Sequence, residues 1–351
     1  MKIISIVGAR PQFIKLAPLS EKLSDRHTEI IVHTGQHYDF AMSQQIFSDL
    51  GIRNPDYHLG VGSGSHATQT GEMMKSLEEV MLKEDPGLVV VFGDTNTTLA
   101  GALAASKLNI PLVHIEAGLR SYNRTMPEEI NRIVTDHVSD FLFAPTRTAA
   151  RLLKGEGLED KTYVTGDIMV DTLRRSLPVA LESSTVLTDM NIDNRDYNLL
   201  TLHRNYNVDN HEVLSNILNQ LDKLGETILF PVHPRTRKML GESGISPKNI
   251  IITGPLGYLD FITAENSASR IITDSGGIQK EAYILKKPCI TLRTETEWVE
   301  TVEENWNLLI DPSSNSICEK ILFFKPPVTH NNVFGENVCD NMVSIIDSIY
   351  R

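Results

Sequence analysis

The run Leu88-Val89-Val90-Val91-Phe92 holds five consecutive apolar residues between two glycines. A strand with one wet face alternates apolar and polar residues; an unbroken run of this length reads as a strand covered on both faces, the mark of a parallel sheet under helices. Comparable runs occur at Ile3–Val7, Glu29–His33, Leu112–Ile115 and Phe141–Ala144, then at Leu199–Leu202, Thr227–Val232, Ile250–Thr253, Arg270–Thr273 and Cys289–Leu292. Helical stretches fall between them, at Phe13–Leu23, Leu99–Leu108 and about 212–224, and a last one covers about 337–350. Strands alternating with helices give doubly wound α/β domains.

The chain has 351 residues, about two domains at roughly 150 residues each. The stretch Pro178–Asn198, rich in Ser, Asn and Asp, reads as a boundary zone, so the expected division is 1–175 and 176–336. Hydrophobic residues make up 41% and charged residues 22%, which excludes disordered and fibrous classes. Lys plus Arg is 33 and Asp plus Glu 45, a net −12, so binding to nucleic acid through its backbone is not expected. A locally basic site for a small anion remains compatible with that balance. The cysteines Cys289, Cys318 and Cys339 form no C-x-x-C pair and are expected as reduced thiols. No apolar stretch approaches the roughly 20 residues of a membrane span, and Gly8, Arg10 and Lys15 interrupt any signal-like segment. The expectation is a cytoplasmic protein with no membrane partner.

The unusual residues fall just after the expected strands. Gly8-Ala9-Arg10-Pro11 follows the first, Gln36-His37 the second, Gly93-Asp94 the Leu88 strand and Glu116 the Leu112 strand. His203-Arg204 follows Leu199–Leu202, His233 with Arg235 and Arg237 follows Thr227–Val232, and Asp274-Ser275-Gly276-Gly277 follows Arg270–Thr273. Open parallel sheets bind ligands beyond the carboxyl ends of their strands, and two such domains facing each other would put the ligand between them.

In Thr273-Asp274-Ser275-Gly276-Gly277-Ile278 a strand ends, two glycines follow and a helix begins. A helix N-terminus offers free N–H groups and a positive dipole end, and glycine lets a phosphate approach the backbone. The segment reads either as a diphosphate cradle or as a tight turn with Asp274 or Ser275 capping the helix. It is neither a dinucleotide fingerprint nor a Walker loop. Glu281, one turn on, could meet a ribose hydroxyl or be an ordinary exposed residue. Asp94 and Glu116, on consecutive strands about 4.8 Å apart, could share one cleft and raise each other's proton affinity. Glu128 and Glu129 open a helix after Pro127, for chemistry or for simple dipole compensation. His203 with Arg204 could neutralise a leaving diphosphate or be a buried, satisfied pair. His33 and His37 lack a nearby acid, so no metal is expected.

Taken together these runs resemble the non-hydrolysing UDP-N-acetylglucosamine 2-epimerase family. The resemblance is carried by Gly8-Ala9-Arg10-Pro11 with Lys15, His33-Thr34-Gly35-Gln36-His37, Gly93-Asp94-Thr95-Asn96-Thr97 and His114-Ile115-Glu116-Ala117-Gly118-Leu119-Arg120. It continues through Pro127-Glu128-Glu129-Ile130-Asn131-Arg132, His203-Arg204 and Thr273-Asp274-Ser275-Gly276-Gly277-Ile278-Gln279, in the family's order. It implies a glycosyltransferase-B-like fold of two Rossmann-like domains, with the C-terminal helix, about 337–351, crossing back to the first. It implies interconversion of UDP-GlcNAc and UDP-ManNAc by loss of UDP to 2-acetamidoglucal and re-addition, in a homodimer, with neither cofactor nor metal. By position, Asp94, Glu116, Glu128 and His203 match catalytic residues, and Arg10, Ser275, Gly276, Gly277 and Glu281 match UDP contacts. Lys15, Arg204, His233 and Arg235 are expected to support them.

The chain departs from the family pattern in three places. The family's His-Arg-x-Glu-Asn is His203-Arg204-Asn205-Tyr206-Asn207 here, and its Thr-Glu-Arg-Pro-Glu is Thr296-Glu297-Trp298-Val299-Glu300. The segment after His37 lacks the family's Met-Leu-Asp-Gln run, tied to allosteric activation by UDP-GlcNAc. Gly8–Phe13 and Trp298 are closer to the branch acting on UDP-2,3-diacetamido-2,3-dideoxyglucuronate. A glycosyltransferase of the same fold would need an acceptor and no carboxylates around C2. A non-catalytic UDP-sugar-binding module would tolerate loss of Asp94 and Glu116.

Overall fold

In the computed structural model the described residues are 1–36, 47–193, 195–232, 234–243 and 247–349. His37, the segment that follows it and His233 lie outside them, and of Arg235 only the helical backbone is described. Two compact units are present: Met1–Arg175 together with Asn332–Arg351, and Ser176–Asn331.

Among the described residues, the first unit's sheet has the order β3-β2-β1-β4-β5-β6-β7. Its strands are β1 (Lys2–Val7), β2 (Thr28–His33), β3 (Tyr57–His58), β4 (Leu88–Phe92), β5 (Leu112–Ile115), β6 (Phe141–Ala144) and β7 (Thr162–Val164), all paired in parallel. The second sheet runs β10-β9-β8-β11-β12-β13. It comprises β8 (Tyr197–Thr201), β9 (Thr227–Pro231), β10 (Ile250–Thr253), β11 (Arg270–Thr273), β12 (Cys289–Thr291) and β13 (Asn307–Leu309), again parallel throughout. Both are Rossmann orders, whose direction reverses between β1 and β4 and between β8 and β11.

The apolar runs are apolar because both faces are covered. In the second sheet Leu200, Ile228, Ile272 and Ile290 pack on one side with Leu214, Ile217 and Leu221 of the helix His211–Asp222. Leu199, Leu229 and Ile271 face the other way, against Ala264 and Ala282. Alternate residues of one strand thus feed two cores. In the first unit Ile4, Ile6, Val89 and Val91 meet Met73 and Leu77 of the helix His66–Glu84 and the alanines of the helix Asn96–Lys107.

The short strands β3, β7 and β13, of two or three residues each, carry too little apolar signal for sequence reading to find them. Within Pro178–Asn198 the helix Met169–Ser183 runs through Pro178, a short helix covers Val186–Asp189, and β8 begins at Tyr197. The last helix, Val338–Ile349, belongs with the first unit, as the resemblance implies. Its Asp340 pairs with Lys22, and its Asp347 with Arg26 and His27. Among the described residues, no helix is long and apolar enough to cross a membrane.

Candidate active site

The first unit assembles its charged residues at the carboxyl ends of β1, β4 and β5. Phe92 lies opposite Ile115 in the parallel register, so Asp94 and Glu116 leave neighbouring strands at nearly the same level, as their spacing predicts. The helix Arg10–Ser24 starts beside them. Its Gln12 side chain accepts from the amides of Gly8 and Ala9 at 2.8 and 3.1 Å and donates to the Phe92 carbonyl at 3.0 Å, tying the β1 turn to β4. A Cβ at Gly8 would lie 2.1 Å from Thr34 Oγ1 and 2.3 Å from Thr97 Oγ1, so only glycine fits. Arg10 is half-buried at the helix start, and Lys15, one turn on, is buried and ion-paired with Glu116.

Expected mutual repulsion between the carboxylates gives way to a different arrangement: each has its own cation. Glu116 has Lys15. Asp94 Oδ2 accepts from Arg132 Nε at 2.9 Å and Nη2 at 2.6 Å. The backbone of Glu116 sits at φ +72°, left-handed for a residue with a side chain. Such a conformation costs on the order of 1–3 kcal/mol and persists only where its surroundings impose it. Here the amides of Glu116 and Ala117 both bind the Phe143 carbonyl.

Glu128 and Glu129 open the helix Pro127–Val138 but differ completely. Glu128 is exposed. Glu129 is buried, accepts from Ser121 N, Ser121 Oγ and Tyr122 N at 2.9 Å each, and meets Arg132 Nη1 at 3.1 Å. Burial alone would raise its pKa, but those donors hold it below the usual carboxylate range. Dipole compensation therefore does not describe Glu129, which organises the turn before the helix.

In the second unit Asp274, at the end of β11, is fully buried. It accepts from the amides of His203 and Arg204 and from Asn207 Nδ2, and lies 2.9 Å from His203 Nδ1. Burial would push its carboxyl up; the His203 contact and these donors hold it down. His203 is half exposed, its Nδ1 turned to Asp274, so the satisfied buried histidine is excluded and the buried member of the pair is the carboxylate.

Neither Asp274 nor Ser275 caps the helix Gly276–Ile284 with its side chain, which removes the turn-and-cap alternative. Its first N–H groups keep the donor capacity that suits a phosphate. A Cβ at Gly276 would fall 2.0 Å from Glu297 Oε1, whereas one at Gly277 would meet nothing closer than Ser275 Oγ at 4.0 Å. Glu297 is itself held by Arg293 Nη2 at 2.9 Å. Where the family pattern has an arginine, the Trp298 ring lies beneath Lys280 Nζ, 4.1 Å from its centroid, so a cation is present from a different residue. Tyr206 is exposed, beside Arg204 and Arg293. Glu281 is not an exposed surface residue: it is 9% exposed, and beside it burial, reinforced by Glu281's charge, pushes the carboxyl of the wholly buried Glu265 well above the usual range.

Sequence reasoning gave no role to Arg132, Asn131 or Gln12. Arg132 lies four residues after Glu128, on the same helical face, a spacing that says nothing of its partner Asp94. His33 is a packing residue: buried, stacked on Phe13 and His58, its Nδ1 accepting from Gly35 N. Among the described residues, no three His, Cys, Asp or Glu side chains cluster to hold a metal. The cysteines are free thiols, Cys289 pushed up to about 12 by burial.

Two Rossmann-like units, each with its charged and glycine-rich turns beyond the carboxyl ends of a parallel sheet, define a glycosyltransferase-B-like α/β protein. Residues 21–339 match the family model described as UDP-N-acetylglucosamine 2-epimerase. The chain belongs to that family. It is 51% identical to the UDP-N-acetylglucosamine 2-epimerase homolog of Methanococcus maripaludis, over 99% of both chains. It is 46% identical to the UDP-2,3-diacetamido-2,3-dideoxy-D-glucuronate 2-epimerase of Pseudomonas aeruginosa, over 91% of both. The crystal structure of Methanocaldococcus jannaschii UDP-GlcNAc 2-epimerase in complex with UDP-GlcNAc and UDP is similar with a TM-score of 0.89, at 44% identity, covering 99% of this chain and 100% of that one.

Proposed function

We propose that the protein interconverts UDP-GlcNAc and UDP-ManNAc by anti elimination of UDP and re-addition. The observation that carries this reading is the pairing of two kinds of turn: carboxylates on individual cations after β4 and β5, and an uncapped Gly-Gly helix start after β11. The sugar's C2–H is not acidic, because no carbonyl adjoins it. Breaking the C1–O bond to UDP makes C1 electron-poor and eases loss of that proton. The C2–H electron pair becomes the C1–C2 double bond of 2-acetamidoglucal, and the C1–O pair leaves with UDP. Protonation at C2 from the other face and attack of the diphosphate oxygen at C1 close the cycle. Asp94, Glu116 and Glu128 serve as the acids and bases. The negative charge that grows on UDP is met by His203, oriented by Asp274, by Arg10, by Ser275 and by the N–H groups at Gly276 and Gly277. Glu281 takes the ribose. Lys15 and Arg204, with His233 and Arg235, support the site.

A second substrate, the UDP-diacetamido uronate, is supported by Tyr206 and Trp298 in place of charged family residues and by the Pseudomonas relative. Parallel assays decide between them: a preference above about 100-fold for the uronate, roughly 2.7 kcal/mol in the transition state, would reverse the order. A glycosyltransferase would consume a UDP-sugar only when an acceptor is added, and a binding module would consume none. The proposed assembly is a cytoplasmic homodimer; sedimentation at a monomer's mass would contradict it. The test of the reaction is incubation of the purified protein with UDP-GlcNAc followed by NMR, which should show UDP-ManNAc accumulating to a constant ratio.

A further inference from the structure

We propose that His114 is a positioning residue for this reaction: a buried ring, donating from both nitrogens, that locks the turn carrying Asp94 to the turn carrying Glu116. The proposal rests on the epimerase reading for the role of those two carboxylates. Its geometric part stands without that reading.

His114 lies on β5 and is fully buried. Its Nδ1 is 2.7 Å from Asp136 Oδ1 and its Nε2 is 2.7 Å from the Gly93 carbonyl oxygen. A carbonyl can only accept. Asp136 accepts too: burial would raise its pKa, but His114 and Arg120 hold the carboxyl below the usual range. A neutral imidazole carries one N–H and one lone pair. In this dry setting a neutral ring would press its lone pair against an oxygen at 2.7 Å. Only a ring with two protons satisfies both partners.

The surrounding charges fit that state. Arg120 Nη1 is 2.7 Å from Asp136 Oδ2, and Arg120 Nε and Nη2 each meet Glu156 at 2.7 Å. His114 and Arg120 then balance Asp136 and Glu156, the condition under which buried charges are tolerated. Lys161 adds a further cation, acting on Asp140 and Asp136 and donating to the His137 and Ser139 carbonyls, and His137 Nδ1 lies 3.9 Å from Glu156.

What the network fixes is the pair of turns. Gly93, at φ +64°, gives its N–H to the Ile115 carbonyl at 2.9 Å and its own carbonyl to His114, so β5 holds it at both ends. Asp94 follows directly. Asp136 Oδ2 also accepts from Gly118 N at 3.1 Å, two residues past Glu116. One histidine–aspartate pair therefore sets where both carboxylates begin. An apolar residue of equal volume would fill the space and leave the Gly93 carbonyl unaimed.

Two measurements on the full-length protein test this. With 15N-labelled histidine, the His114 ring, assigned by its loss in His114→Gln, should show protons on both nitrogens at neutral pH, as donation to both partners requires. A ring with one bare nitrogen at neutral pH overturns the proposal. In kinetics, His114→Gln should lower kcat by about 10²-fold, the cost of a misplaced acid or base, with KM and calorimetric UDP affinity within about twofold. If that variant does not fold, Asp136→Asn should give the same split. Unchanged kcat, or UDP affinity falling in step with kcat, overturns the positioning role. An unaltered protein that turns over no UDP-sugar would instead remove the epimerase reading while leaving the ring's protonation as found.

Discussion

Arg132 holds Asp94 by one oxygen: both Nε and Nη2 fall on Oδ2, at 2.9 and 2.6 Å. A grip of this kind anchors that oxygen and leaves Oδ1 outside the Arg132 contact. Lys15 Nζ likewise pairs with one oxygen of Glu116, as a point charge. The two acids are thus placed by cations from separate helices, Arg10–Ser24 and Pro127–Val138, rather than by each other.

Replacing any one of the acids by its amide, as Asp94→Asn, Glu116→Gln or Glu128→Gln, keeps shape and removes proton transfer. Turnover should fall about 10²–10⁴-fold, with UDP affinity nearly unchanged by calorimetry. Activity within threefold of the parent in all three variants would remove them from the chemistry.

Glu129 should behave differently from its neighbour. Its buried carboxylate satisfies three donors from Ser121 and Tyr122 besides Arg132, so Glu129→Gln should destabilise the fold by about 1–3 kcal/mol. Glu128→Gln, at an exposed position, should leave the melting temperature alone. Equal effects in a thermal scan would refute the distinction.

The diphosphate end is tested by His203→Ala and Arg10→Ala. Each should weaken UDP about tenfold, or 1.4 kcal/mol, and slow the reaction together with binding, because the charge they meet grows in the transition state. Titration calorimetry giving parent affinity in both would exclude them.

Glu265 gives the fold a pH signature. Burial, reinforced by Glu281, holds its carboxyl well above the usual range. The unfolded chain releases that proton near pH ~4.3, the folded protein at much higher pH. From the lower value upward, each step in pH favours the unfolded state, so Glu265 subtracts stability at neutral pH and nothing below about pH 4. Glu265→Gln cannot ionise. Its melting temperature relative to the parent should therefore rise from pH 4.5 to pH 8, and an equal difference at both would contradict the assignment.

The sequence made the sheets legible because covering both faces of a strand leaves a local trace. Leu88–Phe92, Leu112–Ile115, Phe141–Ala144, Ile250–Thr253 and Arg270–Thr273 are strands at the residues the pattern predicts. Asp94, Glu116, His203 and Ser275–Gly277 were legible for a related reason: parallel sheets put their chemistry in the turn after the strand. The supports were not. Arg132 reaches Asp94 across 38 positions, Lys15 reaches Glu116 across 101, and His203 meets Asp274 from 71 positions away. No local spacing encodes such pairs; they exist only once β4 lies beside β5 and β8 beside β11. Glu128 and Glu129 show the same limit, since adjacent residues of one type were separated only by which faced the interior.

The central claim is that inversion at C2 proceeds by elimination and re-addition, and its most direct test is the fate of the C2 hydrogen. The protein, stripped of small molecules, is incubated with UDP-GlcNAc in deuterium oxide and the products are followed by NMR. UDP-ManNAc should carry deuterium at C2, with a little free UDP and 2-acetamidoglucal at long incubation, and activity should be full without added NAD or metal. Epimerised product that retains its original C2 hydrogen would contradict that claim.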